Sequence, residues 1–408
     1  MPRAVVAVEA VAGAAAEAVG AAEGAEVAGA EMTLLSPDRV GLGWRTELAA
    51  GIFAHQDQID VVEVIAEDWF DVPRSKASAL RTLARQIPVQ LHGTSAGLAS
   101  AAPVEEKRLA KMARLVDLLQ PEAWSEHLAF VRAGGWEIGH LAAVPRNSGT
   151  VENSAANVAR ARQVVGTAPM VENIATLIAP PASPLTEVEW LTQVATASDA
   201  PLLLDLHNLY ANAVNFGLDR STAPMDALRH LPLDRVRTVH IAGGHWINAR
   251  HSDRQEQRLL DDHLHPVPDA VFAMLEELAA LAPQPLTVVL ERDGSYPAMD
   301  ALLLELQLAR AAMQRGRERK AQTVARPTSL AQRPGVGANS ANLEALLARI
   351  YVDEPLRATF LAAPEEFAHR HDLNPDDTAA LISIDRTGLA MAARSFARKR
   401  HLKQAHKH

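Results

Sequence analysis

Imidazole and carboxylate side chains recur along this chain at one kind of position, the end of a short apolar run. His92 ends Ile87–Gly93, Glu126 lies in Trp124–Phe130, and Glu172 with Asn173 ends Pro169–Asn173. Asp205 and His207 close Pro201–Asn208, His240 lies in Val236–His245, and Glu291 in Leu286–Asp293. Two earlier runs, Val40–Arg45 and Val61–Asp68, end in Arg45 and in Glu67 with Asp68. Such side chains ligate metals or move protons. A single histidine or acid at a strand end is commonly a hydrogen-bonded core residue, so the weight lies in the repetition. Mixed His, Asp, Glu and Asn donors with no thiolate suit iron, manganese or zinc. The supply is enough for two or three cations.

Strand periodicity narrows the set. Successive side chains of a strand point to opposite faces. Only one of Glu126 and His127 can therefore face an interior, and Glu126, which can bridge two ions, is the expected one. The same period places Asp205 and His207 on one face, with Asn208 in the loop beyond. Glu172 beside Asn173 is expensive to bury without partners, which favours a site over plain core. Asp261, His263 and His265 alternate within Leu260–Pro266 and share a face if that segment is extended. Glu291 and Asp293 alternate in the same way.

The elements that must position these groups follow from the runs themselves. Continuous apolar runs of this length read as strands buried on both faces. Helix-like stretches such as Ser78–Gln86 and Asp269–Leu281 lie between them. Eight such units predict an α/β fold, a (β/α)8 TIM barrel, whose active site forms at the C-terminal ends of the strands. The barrel is expected over residues 36–312 of the 408. Residues 1–35 are low-complexity Ala, Gly, Val and Glu, and read as a disordered or weakly helical extension and not a signal peptide. Met32 is an alternative start. Residues 313–340 have linker composition. Residues 341–408 repeat apolar residues at helical spacing and predict a small all-α module, with a helix start at Asn374-Pro375 and a basic amphipathic helix at Gly388–Lys399. This module either packs as an appendage or binds a partner.

Composition excludes several classes. The formal net charge of −9 leaves no basic footprint for nucleic acid. No apolar stretch is long enough to cross a bilayer. The chain has no cysteine, so disulfides, thiolate metal sites and a cysteine nucleophile are ruled out. A cytoplasmic location is the expectation.

The order of the short motifs is itself specific. VGLGWR, VEVIAED, LHGTSAGLAS, SEHLAF, VEN, LLLDLHN, VHIAGGH, LDDHLHPVP and LERD follow one another as in the multinuclear non-heme iron-dependent oxidases. The chain resembles this family, which includes the oxidase of methanobactin biosynthesis, across residues 36–312. The resemblance implies a barrel holding two or three irons. It implies O2 as co-substrate and the oxidation of cysteine residues in a ribosomally made precursor peptide, often delivered by a partner or recognition protein. By motif, the implied iron ligands are His92, Glu126, Asn173, Asp205, His240, Asp261, His263 and Glu291, with Glu126 bridging. Glu63, Glu67, Asp68, Glu172 and Asp293 are implied partners that orient them.

Two positions depart from the family pattern. A histidine expected in Arg-x-x-His is absent from Arg45-Thr46-Glu47-Leu48, so that ligand is missing or replaced by Glu47. Asp205-Leu206-His207-Asn208 stands where many members read Asp-x-Asn-Asn, and His207 is expected to be a hydrogen-bonded neighbour. The basic helix, with Arg394, Arg398, Lys399 and Arg400, either presents a solvated face or meets an acidic leader peptide, the solvated face being the first expectation. Two other classes compete. One is a metal-dependent sugar isomerase or phosphodiester hydrolase on the same barrel, needing no O2; the other is a metal-binding adaptor without catalysis.

Overall fold

The structure, a computed structural model, describes residues 37–217, 222–248, 257–322, 341–371 and 373–405. The expected N-terminal extension lies outside the described residues. Strands occur in the order β1 (Arg39–Gly43), β2 (Val62–Ile65), β3 (Val89–Gly93), β4 (Ala123–His127), β5 (Phe130–Ala133), β6 (Trp136–Ala142), β7 (Met170–Glu172), β8 (Leu202–Asp205), β9 (Val236–Ile241), β10 (Gly244–Asn248), β11 (Gln257–Asp261) and β12 (Thr287–Leu290). Eight of them close a parallel barrel in the order β1-β12-β9-β8-β7-β4-β3-β2. β5–β6 and β10–β11 are antiparallel hairpins outside it. Each of the eight apolar runs contributes one barrel strand.

Apolar residues on the outer strand faces pack against the surrounding helices. The helix Asp269–Leu281, with the bounds its spacing predicts, buries Val271, Phe272, Met274, Leu275, Leu278 and Ala279 on one stripe. The barrel interior also carries buried polar side chains. β3 and β9 stand on opposite walls, and Gln90 accepts a hydrogen bond from Thr238 across the axis at 3.0 Å. One layer above, the rings of His92 and His240 lie 5.3 Å apart. The upper interior thus holds side chains that need partners, set on strands that cannot move.

Packing between β1 and β2 is tight at Gly41. A methyl group there would stand 2.0 Å from Val61 O and 2.4 Å from Val61 Cγ1. Relief would require separating two barrel strands. Gly41→Ala is expected to cost more than the ~1–3 kcal/mol of ordinary overpacking. Thermal unfolding of the variant reads this directly, and an unchanged midpoint would contradict the packing described.

The expected C-terminal helices form at Ala341–Val352, Glu354–Ala362, Pro364–His369, Pro375–Ile382 and Arg386–Ala405. Asn374 caps the fourth through Asp377 N at 2.8 Å. The helix Met299–Gln322 runs on past residue 312 into the expected linker, whose residues 323–340 lie outside the described residues. The described residues group as one compact unit. The first of these helices lies on the β5–β6 hairpin, with Ala345 Cβ pressed over Gly134. Glu344 accepts from Ala101 N with both oxygens, at 2.9 and 3.2 Å. Among the described residues no helix is long and apolar enough to cross a membrane.

Candidate metal centre

Six strands deliver ligand-type side chains to one buried volume at the C-terminal rim. His92 comes from β3, His127 from β4, Glu172 from β7, Asp205 from β8, His240 from β9, and Glu291 follows β12. Glu172 stands at the centre. Its Oε2 lies 3.3 Å from His127 Nε2 and 3.6 Å from His92 Nε2. Its other oxygen lies 3.3 Å from His240 Nδ1, which is also 3.1 Å from Glu291 Oε2. Two groups result, His92–His127–Glu172 and Glu172–Asp205–His240–Glu291, each offering donor atoms within 4.8 Å of one another.

A third cluster adjoins them. His263 Nε2 lies 2.9 Å from Asp261 Oδ1, and its Nδ1 lies 3.2 Å from Asp293 Oδ2 and 3.5 Å from Glu291 Oε2. His207 Nδ1 meets the same Asp261 oxygen at 2.8 Å. Arg45 ion-pairs with Asp293 from the end of β1.

Several expected ligands are placed otherwise. On β4 the inward residues are Ser125 and His127, because Ser125 Oγ meets His92 Nδ1 at 2.8 Å. Glu126 therefore turns the opposite way, accepting from Ala96 N at 2.9 Å and from His127 N at 3.0 Å. Asn173 spends its carboxamide on the Asp205 backbone, accepting from N at 2.9 Å and donating to O at 3.0 Å. Asp205 and His207 do not alternate along one strand. β8 stops at Asp205, whose Oδ1 caps the following helix through Asn208 N at 2.7 Å. His207 and Asn208 belong to that helix, Leu206–Phe216. Nor do Asp261, His263 and His265 share a face. His263 has φ of +56°, which breaks the alternation and sends His265 elsewhere. Glu47 is exposed and joins none of the three clusters, leaving Arg45 as the β1 contribution. His127 stands in the cluster without having been expected there, and Glu172 is central where only an orienting role is implied by motif. The burial cost of Glu172 is a local signal for it, but nothing local settles the parity of β4.

The histidines are anchored on one nitrogen and open on the other. Gly93 O can only accept, so His127 donates from Nδ1 at 3.2 Å and turns Nε2 toward Glu172 Oε2. Glu63 accepts from His240 Nε2 at 3.0 Å and leaves Nδ1 toward Glu172 and Glu291. Ser125 fixes His92 so that Nε2 faces Glu172. Glu172 Oε2, Asp205 Oδ2 and His207 Nε2 are buried without a hydrogen bond. Buried polar atoms rarely stay unpaired, and a cation among them would satisfy the set.

The electrostatics agree. Burial opposes charge on His127, but Glu172 and then Glu126 outweigh it and raise its pKa to about 9. Burial also opposes charge on His240 and His263. Glu291 and Glu63 beside the first, and Asp261 and Glu291 beside the second, still raise both well above the ordinary value. Asp205 goes the other way for a carboxylate, pushed well up by burial and by Asp261, Glu172 and Glu291. Protons are drawn to the places where metal charge would sit.

Anchoring partners set ligand affinity, typically by 10–100-fold on removal. Glu63→Gln loses the charge that holds His240 Nε2–H. Metal titration of that variant is expected to show affinity about 10–100-fold weaker. Affinity equal to the unaltered chain would remove Glu63 from this role.

A sequence profile described as "RiPP precursor modification enzyme MbnB/TglH/ChrH" matches residues 39–314. RiPP denotes a ribosomally made, post-translationally modified peptide. A UPF0276 protein of Streptomyces avermitilis is 36% identical over 282 residues, which is 67% of this chain. The chain spans only 55% of that relative's length. A UPF0276 protein of Acaryochloris marina is 30% identical over 272 residues, 66% of this chain and 92% of the relative. Among solved structures, endonuclease IV of Thermus thermophilus aligns with a TM-score of 0.42 at 18% identity, covering 68% of this chain and 99% of that one.

Proposed function

The chain belongs to the MbnB/TglH/ChrH family of RiPP precursor modification enzymes, and from that membership we propose that it oxidises cysteine residues of a precursor peptide with O2 at a multinuclear non-heme iron site. The observation that carries this reading is Glu172. Its two oxygens face two different buried ligand groups, as a carboxylate shared between two cations would. His92 and His127 would complete one ion's ligands, and Asp205, His240 and Glu291 would complete the other's. Asp261 and His263, with Asp293 beside them, would serve a third. Nitrogen and carboxylate donors without thiolate suit iron.

Bound iron would supply O2 activation and redox equivalents. The protein's own part is geometric. Ser125, Gly93 O and Glu63 fix three imidazole orientations before any metal arrives. Asn173 ties β7 to β8 and so sets the spacing of Glu172 and Asp205. Below the site, Thr238 and Gln90 satisfy each other across the barrel axis.

The substrate side of the reading is a Cys-containing precursor peptide, processed in the cytoplasm and brought by a recognition element. Residues 341–408 stand where such an element would be fused, and the exposed Arg394 and Arg398 on the last helix would face an acidic leader. Arg400 is not available in the same way, since it donates to Ile138 O at 2.8 Å.

The test is direct. Protein purified without oxygen and loaded with iron is mixed with a Cys-containing peptide encoded beside its gene, and then exposed to O2. Oxygen consumption with a mass change confined to cysteine is expected. Turnover of a sugar or phosphodiester without O2, or bound metal with neither peptide change nor O2 uptake, would overturn the reading.

A further inference from the structure

A second group of ligand-type residues lies on the outer side of the same rim. His245 on β10, Asp262 just past β11, and His265 offer donor atoms within 4.8 Å of one another, and all three are partly buried. Asp262 holds both rings, its Oδ2 meeting His245 Nδ1 at 2.7 Å and its Oδ1 meeting His265 Nδ1 at 3.0 Å. The two rings lie 5.0 Å apart. None of these residues belongs to the centre around Glu172.

The backbone builds this arrangement. The left-handed turn at His263 sorts the segment, sending Asp261 and His263 inward and Asp262 and His265 outward. A Cβ on Gly243 would stand 2.3 Å from His265 O and 2.2 Å from Pro266 O. Only glycine lets the β9–β10 turn approach the His265 segment that closely, and this approach brings His245 beside His265. Asp262 is oriented by Leu264 N, which donates to its Oδ1 at 3.0 Å. Three ligands from two chain segments are thus preorganised by backbone contacts that do not involve a metal.

We propose that His245, Asp262 and His265 form a separate site for a divalent transition-metal ion of zinc-like preference. Two imidazoles and one carboxylate with room for an exogenous ligand match that chemistry. Ligand–metal bonds of about 2.0–2.1 Å place neighbouring tetrahedral ligands about 3.3 Å apart, and the present nitrogen–oxygen contacts need only open slightly. The ion would clamp the β10–β11 hairpin to the loop after it, while β11 ends in Asp261 of the buried centre. The proposal does not depend on which metal or reaction the buried centre hosts.

The experiment uses the full chain stripped by chelator and titrated with zinc alone. The unaltered protein is compared with the double variant H245A/H265A and with Asp262→Asn, which keeps an acceptor for Leu264 N. Both variants are expected to bind one zinc fewer per chain, with the remaining zinc binding at unchanged affinity. Thermal melts of the zinc-free proteins report folding, and Asp262→Asn keeps the test valid if the double variant misfolds. Equal zinc stoichiometry in all three would overturn the proposal. So would a loss of more than one zinc with the fold intact, because these residues would then be feeding the buried centre and not a site of their own.

Discussion

Glu172→Gln is expected to strip at least one metal ion per chain and to lower peptide oxidation by more than about 100-fold, beyond the 10–100-fold typical of outer partners. The substitution preserves shape and volume, so packing is not the cause. It replaces a carboxylate oxygen by an NH2 group that cannot ligate, at the one residue facing both buried groups. The informative comparison is Glu126→Gln. Glu126 accepts two backbone N–H groups outside the ligand cluster, so its variant is expected to lose about 1–3 kcal/mol of stability at most and to retain metal. Metal analysis and turnover of the two variants decide between them. If the Glu126 variant loses metal and the Glu172 variant keeps it, the bridging assignment made from geometry is reversed.

Chelation should lower thermal stability markedly and in a metal-dependent way. Five carboxylates (Glu63, Glu172, Asp205, Asp261 and Glu291) and five imidazoles (His92, His127, His207, His240 and His263) share the upper barrel, and several of their atoms have no hydrogen bond. Buried charge without compensation is costly. A ligand that binds only the folded state stabilises it by about 4 kcal/mol at 1,000 times its Kd. At about 2–4 °C per kcal/mol for a domain of 150–250 residues, the melting midpoint should fall by several degrees or more after chelation. It should return as iron is added back, rising with free metal concentration. A midpoint indifferent to chelator would mean that protons alone satisfy these groups and that no metal belongs there.

Much of this molecule is legible one segment at a time. Eight apolar runs specify eight barrel strands because burial on both faces leaves no other stable use for them. The helix at Asp269–Leu281 and the five beyond residue 340 follow from apolar spacing and from caps such as Asn374. Placing His92, Asp205, His240 and Glu291 at one rim needed only the rule that parallel strands of a barrel point the same way.

What no local pattern contained was the side on which each residue at a strand end would fall. Glu126 and His127 are adjacent, and the choice between them rests on Ser125 meeting His92 from a neighbouring strand. Asn173 and Asp205 became backbone partners because β7 and β8 lie side by side. His263 and His265 separated at a single left-handed residue. The barrel, its polar rim and the types of donor gathered there are readable strand by strand, since each follows from local composition. Which of two neighbours turns inward is not. That choice is a one-residue matter of parity, and parity is fixed by contacts between strands distant in the chain.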